Sequence, residues 1–215
     1  TEYRARVAEV LRLVLLIAAP AVVLTALHAP ALVRVLFERG EFGPADTLFT
    51  SGIVRVLVWQ MFLAAATGVY AQAYLAVEDS RLVSVVRVAG HLASTVTYVL
   101  LFQYFGLNAI LSGDILAPAL ALAIFAGMAS RRIGGERPAG LGRFLLSLAG
   151  ANLVMAAAIL AMLRIWPAPP SPSPLTAEGP WLAGQVIVAL VVYLLGARLL
   201  MPTEWRTLSQ RLRRR

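Results

Sequence analysis

Six apolar runs, each long enough to cross a bilayer, dominate this 215-residue sequence and leave few folds open to it. About 20 helical residues at 1.5 Å each span the hydrocarbon core. The runs lie near Leu11 to Phe37, Leu48 to Val77, Leu82 to Phe105, Leu107 to Ser130, Leu141 to Leu163 and Trp181 to Met201. Inside a bilayer each backbone polar group must be satisfied within its own segment, so runs of this length read as helices. Composition agrees: 60% of residues are hydrophobic and 14% charged, far from a soluble domain. The sequence therefore predicts an all-α polytopic membrane helical bundle with six transmembrane helices. The second run, about 45 Å long as a helix, must tilt or protrude. The first run lacks a short apolar core followed by a small-residue cleavage site, so it is a span and not a signal peptide. Thr1 in place of a starting methionine leads us to expect a piece of a longer polytopic protein.

The net charge of +8 is a topology signal. Every basic residue is an arginine, and the loops on alternate sides hold them unequally. On one side are Arg4, Arg6, Arg12, Arg81, Arg87, Arg131, Arg132, Arg137, Arg143, Arg198, Arg206, Arg211, Arg213, Arg214 and Arg215. The other side has Arg34, Arg39 and Arg164, and Arg55 falls inside the second run. The positive-inside rule then places both termini in the cytoplasm. We read no nucleic-acid partner into the basic balance, because its charges sit beside membrane spans.

Several chemistries are excluded by composition or spacing. There is no cysteine and no lysine, hence no thiol nucleophile, disulfide framework, Schiff base or P-loop lysine. His28 and His91 are too far apart in sequence for an H-x-x-x-H metal pair. No G-x-S-x-G, Walker A or carboxylate cluster is present, so no catalytic residue, metal site or cofactor is expected.

Loop composition adds detail. Pro167 to Pro174 favours an extended segment, and Gly134 to Gly140 is a flexible connection. Together they set the last two spans apart and give two parts: residues 1–131 with four helices, and 132–215 with two further peripheral helices and a basic cytoplasmic tail. Trp166, Trp181 and Trp205 stand where interfacial anchors are stable. Thr203 to Arg215 resembles an interfacial helix attracted to anionic lipid.

Polar residues within spans face protein or water, because charge in hydrocarbon is costly. In the third span Ser84, Arg87, His91, Ser94 and Tyr98 recur at helical spacing and define an inward face. His91 lies near mid-membrane, where two roles stand open: lining a transport cavity and titrating, or hydrogen-bonding a neighbouring helix. Arg87 is expected to snorkel toward the cytoplasmic surface or meet a lipid headgroup. Gln60 and Thr67 lie with Ala64, Ala71 and Tyr74 on a small, polar stripe of the second span. Arg55 and Asp114 each enter their span about 10 Å from one side. They are candidates for a buried ion pair, with snorkelling the alternative for Arg55.

The ordering of motifs resembles one family. The segment Leu36-Phe37-Glu38-Arg39-Gly40-Glu41-Phe42 follows Ala19-Pro20-Ala21 and Pro30-Ala31-Leu32-Val33-Arg34-Val35. The second span ends in Tyr74-Leu75-Ala76-Val77-Glu78-Asp79-Ser80-Arg81. This resembles the carboxy-terminal lobe of the MurJ/MviN lipid II flippases, members of the multidrug/oligosaccharidyl-lipid/polysaccharide exporter superfamily. The sequence departs from that pattern at Leu75, where a tyrosine is common, and at Val83, where a proline is. The resemblance covers about residues 5–131 by motif, and the last two spans by number and position. It implies that the spans correspond to the ninth through fourteenth family helices. It also implies a lipid-linked glycan substrate, membrane lipids and an amino-terminal lobe as partners, and a bacterial cytoplasmic membrane location. Phe37, Arg39, Gly40 and Phe42 would form the family's outer turn, in which Gly40 takes a positive φ and Phe42 packs back on the helix end. Direct substrate contact by Arg39 is the competing role. Exporters of other lipid-linked oligosaccharides, inactive relatives and non-transporting membrane scaffolds remain the alternatives.

Overall fold

A computed structural model describes residues 2–132, 140–169 and 175–202 of the chain. The connection over 133–139, the proline segment over 170–174 and the basic tail over 203–215 lie outside these described residues. Among them regular structure is helical throughout: α1 (Glu2–Phe37), α2 (Pro44–Ala76), α3 (Ser80–Phe105), α4 (Leu107–Arg132), α5 (Leu141–Ile165) and α6 (Leu175–Leu200). Each apolar run is one helix. Five are long and apolar enough to cross a membrane, and α4 contributes the shorter apolar stretch Gly113–Ala129. The chain is an all-α polytopic membrane bundle.

Two compact units emerge, Thr1–Ala18 with Val56–Leu141, and Ala19–Arg55 with Gly142–Arg215. In the first, α3 and α4 form an antiparallel hairpin. Asp79 caps α3, its carboxylate accepting from the Leu82 amide at 3.3 Å. The hairpin turns at Gly106, whose φ of 53° suits a residue without a Cβ. Small residues set the crossing: a Cβ added at Gly90 would sit 3.4 Å from the Ala117 carbonyl oxygen, and Ser94 donates its hydroxyl to the Gly113 carbonyl at 2.7 Å. The end of α2 is fastened to α4 by Tyr74. Its ring stacks on Phe125 with centroids 5.2 Å apart, and its hydroxyl donates to the Phe125 carbonyl at 2.7 Å. Both side chains are fully buried. Substituting Tyr74→Phe keeps the stacking and removes the bond, with an expected loss of about 1 kcal/mol. Thermal unfolding of the full-length protein in lipid nanodiscs measures it.

The second unit combines the later part of α1, the first turns of α2, and α5 with α6. Close approach again rests on small residues: an added Cβ at Gly196 would lie 3.6 Å from the Ala151 side chain. Ala151, Met155, Ile159 and Ala189 are wholly buried along this seam. Polar atoms are buried beside them. Asn152 donates its amide to the Leu148 carbonyl at 2.8 Å, while Gln185 donates to the Trp166 carbonyl at 3.3 Å.

Candidate transport cavity

Within the first unit, α2, α3 and α4 line an open cavity of about 270 Å³, on whose wall Arg87 and His91 are exposed. Gln60 and Thr67 from α2, and Arg87, His91, Ser94 and Tyr98 from α3, all line it. Asp114 of α4 joins them. The helical repeat explains this gathering, since positions three and four apart on α3 share one face. Ser84, which continues the same periodicity toward the start of α3, is exposed and lies outside the lining.

The hydroxyls in the cavity are already engaged. Tyr98 donates to the Asp114 carboxylate. The Thr67 hydroxyl is shared between the Leu63 carbonyl at 2.7 Å and the Pro118 carbonyl at 3.1 Å. Pro118 has no amide hydrogen, so the main-chain carbonyl of Asp114, four residues earlier, loses its ordinary helical donor. The α4 side of the cavity is therefore rich in acceptors. Arg87 lines the cavity wall, a position that snorkelling alone would not require.

Arg55 and Asp114 belong to different units, and each has a partner in its own. Arg55 donates Nε–H to the Ala26 carbonyl at 3.2 Å, and Asp114 accepts from Tyr98.

The Phe37–Phe42 turn lies in the second unit. Gly40 has φ of 60°, and the Phe37 and Phe42 rings approach with centroids 6.1 Å apart. Arg39 donates to the Leu36 carbonyl, one turn back. These contacts give the turn a structural role: a glycine permits the reversal, and two aromatic rings hold it shut.

Two buried clusters had no counterpart in the sequence reading. Arg34 donates to Glu178 at 3.2 Å and to the Pro169 carbonyl at 3.0 Å, and its Nε lies 3.9 Å from Glu38. Thr47 donates to Glu38 at 2.6 Å, so the turn between α1 and α2 is tied to the start of α6. Second, Trp181 is buried against protein, its indole donating to the Trp166 carbonyl at 3.0 Å. The buried His28 ring stands edge-on to it at 6.4 Å. Arginine was counted in the sequence only for sidedness, and Glu178 carries no local pattern that points to a partner 144 residues away.

Comparison with known proteins adds the identity of the group. No curated protein matches the chain. The family profile described as lipid II flippase MurJ matches residues 1–175, spanning five of the six helices in full. That family consists of transporters. With most of its length matched, and with its helices and turn motif in the expected order, the chain belongs to the MurJ lipid II flippase family.

Proposed function

We propose that this chain is the carboxy-terminal part of a lipid II flippase. It moves an undecaprenyl-pyrophosphate-linked peptidoglycan precursor outward across the bacterial cytoplasmic membrane, by alternating access with an amino-terminal lobe encoded upstream. Residues 1–131 act as the four-helix part of the transporter lobe, and residues 132–215 as two added helices with a cytoplasmic tail. One observation carries the reading: polar side chains from three apolar helices gather into one cavity within the first unit. Such side chains are expensive in hydrocarbon and mark a substrate or ion path. The turn at Phe37, Arg39, Gly40 and Phe42 lies on the outer side in this reading and acts as a structural stop.

Expression of the full-length gene in cells depleted of their own flippase tests the reading. Restored growth and cell shape are expected. Loss of viability despite correct membrane insertion points instead to an exporter of another lipid-linked oligosaccharide or to a non-transporting scaffold. In complemented cells, His91→Gln is expected to lower transport several-fold. Unchanged transport would remove His91 from the cycle.

A further inference from the structure

Arg87 and His91 are one turn apart on α3, and both line the same cavity. Among the described residues neither side chain has a hydrogen-bond or ion-pair partner. Around them the donors are spent: Ser94 on the Gly113 carbonyl, Thr67 on Leu63 and Pro118, Tyr98 on Asp114. Gln60 on α2 also has free donors, but it stands toward the Asp114 end, because Thr67, two turns farther along α2, meets Pro118.

Asp114 is the one carboxylate of the lining, and it does not neutralise Arg87. It stands beside Tyr98, eleven residues farther along α3, about 16 Å by helical rise. The cavity is thus polar along its length. Free cationic donors stand at one end. A carboxylate and a carbonyl without its helical donor stand at the other.

We propose that Arg87 and His91 form a subsite for a phosphoryl anion. An arginine in a membrane-spanning helix requires an anionic partner or water. Its planar fork donates to two oxygens of one tetrahedral group, and the imidazole one turn away reaches a third. The acceptors around Asp114 suit hydroxyl donors, so a ligand with phosphate at one end and sugar hydroxyls beyond it matches both ends. That the phosphoryl group belongs to the transported lipid rests on the flippase reading; the anion subsite itself does not. The titratable and charged groups facing His91 are Arg87 and Tyr98 of α3 and Asp114 of α4, and α2 contributes none to the lining.

The test is calorimetric titration of inorganic pyrophosphate into the full-length protein in phosphatidylcholine nanodiscs. Arg87→Gln is expected to weaken binding at least tenfold and Arg87→Lys by less. His91→Gln is expected to weaken it about threefold. Ser84→Ala, outside the lining, binds as the unmodified protein does. Equal affinities for Arg87→Gln and the unmodified protein overturn the subsite. Should Arg87→Gln fail to fold, the Arg87→Lys and His91→Gln titrations still decide: wild-type affinity in both overturns the proposal. Two competition arms identify the source of the anion. Displacement of pyrophosphate by phosphatidylglycerol in the nanodisc assigns the subsite to bilayer headgroups and overturns its assignment to cargo. Displacement by undecaprenyl pyrophosphate alone assigns it to cargo. Failure of the unmodified gene to complement depleted cells bears on the flippase reading, whereas unchanged binding by Arg87→Gln in a complementing protein bears on the subsite.

Discussion

Replacement of Arg34 by methionine is expected to destabilise the full-length protein by about 3 kcal/mol, the lower end of the cost of breaking a buried ion pair. The carboxylate left behind causes the loss. The Glu178 side chain is 6% exposed, and Arg34 is its counter-ion at 3.2 Å. Without the guanidinium, Glu178 loses its counter-ion in a place with little solvent, which costs free energy. The partly exposed arginine, at 22%, is why the lower end applies. Arg34→Met with Glu178→Leu is expected to recover much of the deficit, because a buried pair replaced by apolar groups is often close to neutral. Thermal unfolding in nanodiscs compares the three proteins. A double variant as unstable as Arg34→Met alone would trace the loss to the Pro169 and Glu38 contacts and not to Glu178.

Alanine at Gly113 is the second large effect, and it acts on the cavity as well as on stability. A Cβ built there collides with the Tyr98 ring and comes within 3.2 Å of the Ser94 carbonyl oxygen. The helix backbone cannot retreat from Ser94 without opening the α3–α4 crossing, so Tyr98 must move away from Asp114. Overpacking of this kind costs about 1–3 kcal/mol. Gly113→Ala is therefore expected to lower the midpoint of unfolding and to reduce complementation of flippase-depleted cells. Combining it with Tyr98→Leu removes the collision and is expected to restore stability while transport stays low. If stability stays low in the combined variant, the collision with Tyr98 is not the cause.

These effects mark the boundary of what could be read from sequence. All six helices were legible, because a bilayer-length apolar run has few alternatives, and their ends fall within two turns of the expected spans except at the start of α1, which begins at Glu2 and not near Leu11. The α3 polar face was legible for the same reason, a strict helical period over Arg87, His91, Ser94 and Tyr98. The use of each residue was not. Arg87 near the start of a span reads locally as a snorkelling arginine, and its place in the cavity depends on where α2 and α4 stand. Trp181 has the composition of an interfacial anchor, yet its indole finds the Trp166 carbonyl across the α5–α6 pair. Tyr74 was quoted as a family marker. Its physical use, clamping α2 to Phe125, joins residues 51 positions apart and leaves no periodic trace.

The α3–α4 hairpin has one more consequence. Arg87 and Tyr98, at opposite ends of the cavity, hang on a single uninterrupted helix, and Gly90, Ser94 and Gly113 press that helix against α4. Their separation is therefore a count of residues on a rigid rod, unaffected by how α2 moves. A four-residue insertion in α3 between His91 and Tyr98 would lengthen the gap by about 6 Å and keep both side chains close to the same face. For the proposed subsite the hairpin would work as a ruler, setting the distance from a ligand's anion to its hydroxyls independently of what either group is attached to.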